Sequence, residues 1–321
     1  MLRPVVFMFS GQGSQYYQMG RDLYESGGVF ADWMNYLDAL LFEKFDFSVL
    51  TLLYGSRAIA DRLVDTAVSH PAIFMVETAL AFELIDRGIQ PDISLGVSVG
   101  SFAAAAVAGH LRVEDALTLV VSQADILRRC CGKGGMVSIL ANTRLYENES
   151  LRTHSVIAAH NLESHFVISA REESLSVIET NLTSQGVAFQ SLPVEFAYHS
   201  PWIEGARSKF ECAASAIPKH SGRIPLMCCS RAEVLRELPV GFFWQAIRDP
   251  ILFNKAIAKL EEKGAFAYVD AGPSGTLATL LKYLLPSKGK STIHRTIAPF
   301  SSTRDNIADL CRSRRSLNDS A

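Results

Sequence analysis

The stretch Ile93 to Val107, ISLGVSVGSFAAAAV, constrains this chain more than any other. A short apolar run, a serine between Gly96 and Gly100, and a block of helix-forming residues follow one another without a gap. G-x-S-x-G in a strand–turn–helix setting is a nucleophile elbow. Small residues on either side permit a sharp, strained turn that lifts the Ser98 hydroxyl out of a sheet. The helix behind it supplies free N–H groups and a positive dipole end where an oxyanion would form. The plainer alternative is a glycine-rich turn with a helix-capping serine.

The 321 residues are 48% hydrophobic and 20% charged, which suits one large globular domain or two unequal ones. A net charge of −2 gives no electrostatic footprint for nucleic acid or an anionic membrane. The basic clusters Arg128-Arg129 and Arg312 to Arg315 read as solvated surface. The six cysteines include the adjacent pairs Cys130-Cys131 and Cys228-Cys229 but no C-x-x-C, so a reduced, cytoplasmic setting is expected. No leader, transmembrane run or metal-ligand spacing is expected. A polar tail after about Ser301 is expected to be partly disordered.

Read in order, Pro4 to Ser10 is a buried strand ending in the loop Gly11-Gln12-Gly13-Ser14-Gln15. Neither G-x-G-x-x-G nor a P-loop is present, yet Gln12 and Gln15 fall where a loop crosses the carboxyl end of a parallel strand, the usual ligand side of an α/β sheet. Residues 69–87 have helical apolar spacing, and Val113 to Arg129 is a second helix carrying Gln123. Between 134 and 194 the pattern becomes β-α-β-β-α-β: strands at 136–140, 156–159, 166–169 and 187–192, with helices at 144–151 and 172–185. That order is the split-βαβ signature of a ferredoxin-like unit. Helix 202–216, strand 223–228, a mostly helical stretch 241–263 broken at Pro250, strand 267–271 and helix 276–284 follow. The expected fold class is therefore α/β. A catalytic domain with a parallel sheet (1–133 and 195–300) carries an inserted ferredoxin-like subdomain (134–194), then a tail (301–321).

A serine hydroxyl is a weak nucleophile and needs a base, normally histidine, within hydrogen-bond reach. His199 lies where the chain re-enters the larger domain, well placed to face Ser98 across a cleft. His294 is the rival, because Ser98–Asp270–His294 satisfies the chain order of an ordinary α/β-hydrolase triad.

The motifs Phe9-Ser10-Gly11-Gln12-Gly13-Ser14-Gln15, Gly96 to Gly100, Ala197-Tyr198-His199-Ser200-Pro201 and Asp270-Ala271-Gly272-Pro273-Ser274-Gly275 together resemble the malonyl-CoA:acyl-carrier-protein transacylase family. That family includes the acyltransferase domains of fatty acid and polyketide synthases. The resemblance runs from about residue 4 to residue 300. It implies an α/β-hydrolase-like core with a ferredoxin-like insertion, Ser98 as nucleophile, His199 as base, and an oxyanion hole at Gln12 and the Val99 N–H. It also implies a backbone carbonyl before a proline that orients the histidine, which falls on Gln245 or Ala246.

Two departures bear on substrate. The family's elbow is usually G-H-S-x-G, whereas Val97 stands here. Malonyl-type members carry an arginine in the helix after the elbow that grips the substrate carboxylate, and Gln123 takes that position. A carboxamide cannot make the bidentate, charge-assisted fork of a guanidinium. The expected substrate is thus an acyl thioester without a free carboxylate, carried on the phosphopantetheine of an acyl carrier protein or on CoA. Val97, Gln123, Asn161 and Tyr198 are the expected substrate-contacting residues. Glutamine at this position, Tyr16-Tyr17 and Gly275 to Thr279 resemble the free-standing acyl hydrolases of polyketide assembly lines. A transacylase for a non-malonyl unit, a general esterase and a catalytically silent carrier-protein binder are the alternatives. A monomer needing no cofactor, no nucleic acid and no membrane is expected.

Overall fold

A computed structural model of the chain describes residues 3–287 and 289–318. Its strands are β1 (Val5–Phe9), β2 (Ile93–Gly96), β3 (Gly134–Leu140), β4 (Ser155–Leu162), β5 (His165–Arg171), β6 (Ala188–Ser191), β7 (Leu226–Cys228), β8 (Glu233–Leu235), β9 (Ala267–Asp270) and β10 (Thr292–Arg295). Six of them form one sheet in the order β10-β9-β1-β2-β7-β8, parallel except for the edge pair β7–β8. The other four form an antiparallel sheet in the order β4-β5-β3-β6. With helix Glu149–His154 after β3 and helix Glu172–Ser184 after β5, this is the ferredoxin-like arrangement expected from the β-α-β-β-α-β pattern.

Buried on both faces, β1 is apolar throughout, as a central parallel strand requires. The small sheet alternates instead. Val137, Ile139, Phe166 and Ile168 pack with Leu151, Ile178 and Leu182 into a separate core. Their neighbours Met136, Ser138, His165 and Val167 face the larger domain, as the period of two dictates. The small sheet is tied to the larger domain at the bulged strand β4, where Ile251 N donates to Ala158 O at 2.8 Å and His160 N to Ile251 O at 2.8 Å.

Helix Thr66–Asp86, with Pro71 in its first turns, packs against helices Val29–Phe45, Gly100–Val107 and Val113–Cys130. Contrary to the expectation that nothing approaches a membrane span, this helix is long and apolar enough to cross a bilayer, with 83% of its most apolar window buried. That burial is what an internal core helix requires. The expected tail is likewise corrected over its described part: Thr303–Asn318 is a helix. Ile307 and Leu310 pack into the core, Thr303 N donates to Asp22 Oδ2, and Asn306 Nδ2 donates to the Thr296 carbonyl. Residues 319–321 of that segment lie outside the described residues. Helix 202–216 divides into a 3₁₀ stretch Pro201–Ala206 and an α-helix Arg207–Ser215.

Candidate active site

Two loops at the carboxyl ends of adjacent parallel strands, β1 and β2, build the site, where an open α/β sheet presents its ligands. β2 ends at Gly96 and the chain turns through 97–99 into helix Gly100–Val107. Ser98 adopts φ +55°, the left-handed region that non-glycine residues enter rarely and at a cost of about 1–3 kcal/mol. The flanking glycines are needed for space: a Cβ on Gly96 would lie 2.4 Å from Ser101 Cα, and one on Gly100 would lie 2.4 Å from both the Phe9 and Ser10 carbonyl oxygens. The strain therefore falls on the serine itself.

His199, also left-handed at φ +57°, closes on the elbow from the strand-return segment after β6. Its Nε2 lies 2.9 Å from Ser98 Oγ and its Nδ1 lies 2.7 Å from the Asp249 carbonyl oxygen. A carbonyl only accepts, so Nδ1 carries the proton and Nε2 is left to accept from the serine. The orienting carbonyl is thus Asp249 and not Gln245 or Ala246. Helix Phe242–Arg248 spends the Gln245 carbonyl on Asp249 N, at 3.0 Å. Asp249, next to Pro250, is driven extended (φ −83°, ψ 152°), which swings its carbonyl out of the helix. Burial, opposed by the Asp249 carbonyl and reinforced by the Arg248 charge, lowers the His199 pKa to about 4. The imidazole is neutral near pH 7 and ready to take a proton.

The backbone N–H groups of Gln12 and Val99 have no hydrogen-bond partner among the described residues, which leaves both able to donate. The Gln12 side chain turns away, its Nε2 donating to Ser69 Oγ at 3.2 Å, with Oε1 buried and unpartnered. Gln15 ties the loop down: its Oε1 accepts Gly13 N at 2.6 Å, and its Nε2 donates to the Leu63 and Pro193 carbonyls at 2.9 and 3.1 Å.

Ser98 and His199 open into a cavity of about 280 Å³ between these loops and the inner face of the antiparallel sheet. Val97, Asn161 and Tyr198 line it. Asn161 belongs to β4 itself and not to the loop after it, turned inward at a register shift between His160 and Leu162. Among the described residues, no lysine, arginine, aspartate or glutamate lines the cavity.

Gln123 departs from expectation. It is fully buried in helix Val113–Cys130 and does not reach the cavity surface. Its amide adjoins the ring of His70, with neither group closing a hydrogen bond of good geometry. His70 in turn packs against Tyr198 at 5.5 Å between ring centroids, so Gln123 stands behind the cavity wall. Burial drives the His70 pKa down to about 3, and this second histidine is a neutral packing residue.

The rival triad does not form. Asp270 pairs in register with Arg295, and His294 with Val269, so the two side chains leave opposite faces of the sheet. Asp270 accepts from Gly272 N at 2.9 Å and Ala278 N at 2.7 Å, capping helix Thr276–Leu284, while His294 meets Thr292 Oγ1 at 3.0 Å. Arg128 and Arg129 pair with Asp65 and Asp125 on the surface. Sequence reasoning passed over Glu77, whose carboxyl holds Ser10 at the base of the first loop. The available signal was a lone acid in the apolar run FMVETALAF.

An elbow serine bonded to a neutral, carbonyl-oriented histidine, beside free N–H donors, is acyl-transfer machinery. The sequence profile of the acyl transferase domain matches residues 6–307, and the chain belongs to that family. It is 40% identical over 303 residues to the polyketide biosynthesis acyltransferase homolog BaeD of Bacillus velezensis, covering 94% of this chain and 93% of that protein. It is 38% identical over 309 residues to the homolog PksD of Bacillus subtilis, covering 96% and 95%. Among solved structures, a loading acyltransferase from the avermectin modular polyketide synthase superposes with a TM-score of 0.86 at 27% identity, covering 97% of this chain and 99% of that one. The malonyl-CoA–acyl carrier protein transacylase of Streptococcus pneumoniae shares the fold, at a TM-score of 0.80 and 22% identity over 96% and 99%.

Proposed function

We propose that this chain is a Ser–His acyl hydrolase of polyketide biosynthesis that clears acyl groups lacking a free carboxylate from acyl carrier proteins, acting as a cytoplasmic monomer. The observation that carries this reading is the cavity around Ser98 and His199, whose lining holds no cation. A carboxylate entering it would forgo two charge-assisted hydrogen bonds of about 1.5–3 kcal/mol each, a discrimination of roughly 10²- to 10⁴-fold against malonyl. The buried Gln123 adds nothing to offset that loss.

In the reaction, His199 Nε2 takes the Ser98 proton as Oγ attacks the thioester carbonyl. The N–H groups of Gln12 and Val99 hold the oxyanion. Collapse breaks the C–S bond, and the imidazolium returns the proton to the pantetheine sulfur. His199 then deprotonates a water that attacks the acyl-serine carbonyl; collapse breaks the C–Oγ bond, the imidazolium returns the proton to Ser98 Oγ, and the free acid leaves. No residue has to supply a metal or a redox group to these steps.

Intact-mass spectrometry of carrier protein loaded with acetyl, malonyl or butyryl groups, with and without a second unloaded carrier, tests the proposal. Acetyl and butyryl should be lost as free acid, with malonyl retained. Faster loss of malonyl would overturn the substrate argument, and acyl appearing on the second carrier would make the protein a transacylase.

A further inference from the structure

Behind the first loop lies a buried acid that none of these steps uses. Glu77 sits in the middle of the apolar helix Thr66–Asp86 and is fully buried. Its Oε1 lies 2.5 Å from Ser10 N and 2.9 Å from Ser10 Oγ. Ser10 Oγ is 2.9 Å from Ser14 Oγ, and Ser14 Oγ is 2.8 Å from the Gly11 carbonyl oxygen. These are three consecutive oxygen–oxygen contacts, and each needs one proton. The carbonyl has none and the two hydroxyls supply one each, so the third comes from the carboxyl.

Two further observations agree. Glu77 Oε2 has no partner, which a neutral acid tolerates far better than a carboxylate. Burial and the negative charge of Asp270, on the neighbouring β9, push the Glu77 carboxyl well above the usual carboxylate range, although its contacts with Ser10 N and Oγ pull the other way.

With the proton on Glu77, the chain runs one way: Glu77 to Ser10 Oγ, Ser10 to Ser14 Oγ, Ser14 to the Gly11 carbonyl. That carbonyl belongs to the same peptide unit as the free N–H of Gln12. Hydrogen bonds in series inside a protein polarise one another by perhaps 10–30% per bond, so a donor on the peptide oxygen strengthens the N–H at its other end. The peptide also sits against the nucleophile, since a Cβ built on Gly11 would be 2.9 Å from Ser98 Cβ and 3.7 Å from Ser98 Oγ.

We propose that Glu77 is a positioning residue, a permanently protonated acid that drives a directional hydrogen-bond chain through Ser10 and Ser14 onto the Gly11–Gln12 peptide and so strengthens the oxyanion-hole donor. The inference rests on the reading of Ser98 as nucleophile and of the Gln12 N–H as oxyanion donor. The chain explains why two serines flank the Gly-Gln-Gly turn, where one would suffice as a cap.

The test uses the full chain, Glu77→Gln and Ser14→Ala. Infrared difference spectra should show a protonated-carboxyl C=O band at neutral pH that Glu77→Gln removes and Ser14→Ala keeps. Glutamine fills the same volume but cannot both accept from Ser10 N and donate to Ser10 Oγ through one atom. Both variants should therefore slow Ser98 acylation by p-nitrophenyl acetate about tenfold in kcat with KM unchanged, short of the 10²–10³-fold loss of deleting an oxyanion donor outright. A merely structural acid would lower Tm and leave kcat of the folded protein intact. Absence of the band, or wild-type kcat in Ser14→Ala, overturns the proposal. A wild-type protein that shows the band but never acylates at Ser98 would instead fault the catalytic reading.

Discussion

The depressed pKa of His199 has a consequence that acid titration exposes. Its value of about 4, set chiefly by burial, compares with about 6.5 for an exposed imidazole. The base works only when neutral, so the acid limb of acylation should follow the buried value. At pH 5.5 about 97% of His199 is neutral, against about 9% for an ordinary histidine, roughly a tenfold difference in rate. Stability moves with the opposite sign of concern. The unfolded chain binds the proton more readily, so folding free energy is unaffected above about pH 6.5 and is lost as pH falls from there toward 4, by at most about 3 kcal/mol from this residue. Stopped-flow release of p-nitrophenol from its acetate, read as kcat/KM with folding checked by circular dichroism at each pH, measures both effects. Flat activity down to about pH 5 is the expected result. A limb centred near pH 6.5 would show that the imidazole is solvated, and the argument from burial would fall.

Replacing His199 with alanine should cost about 10²- to 10⁴-fold in Ser98 acylation, while His294→Ala should acylate at the wild-type rate, as burst kinetics on the two variants would show. Gly100→Ala forces a Cβ to within 2.4 Å of two carbonyl oxygens, so it should destabilise the fold by several kcal/mol and lower the urea midpoint; an unchanged midpoint would mean the elbow does not approach β1 as described. Gln15→Ala removes two hydrogen bonds that pin the first loop to residues 63 and 193 and a third within the loop, to Gly13 N, and should lower Tm by several degrees while raising hydrogen exchange in residues 11–15.

Much of the architecture was legible because its signals are local. The β-α-β-β-α-β order from 134 to 194 sufficed for the small sheet, and helix Thr276–Leu284 matches its expected bounds. Elements with weak local signals escaped. β8 and β10 are edge strands of three and four residues with no fully buried position. Thr303–Asn318 reads as polar because, among its described side chains, few are buried, Thr303, Ile307 and Leu310 being those that are. In the site, Ser98, His199, Gln12 and Val99 stand in recognisable motifs, whereas Asp249 contributes only a backbone carbonyl, which carries no side-chain signature.

Residue order alone determined which chemical groups this protein owns and the secondary structure that presents them: an elbow serine, a histidine before Ser200-Pro201, an amide-bearing loop, and a glutamine at position 123. Only chain closure decided which of those groups meet. Ser98 and His199 are 101 residues apart in sequence, and Ser10 and Glu77 are 67 apart. Contacts of that range depend on how sheets and helices pack, to a fraction of an ångström, and no local pattern encodes it. Packing turned Gln123 away from the cavity, set the Asp249 carbonyl against His199, and placed a buried acid behind the first loop.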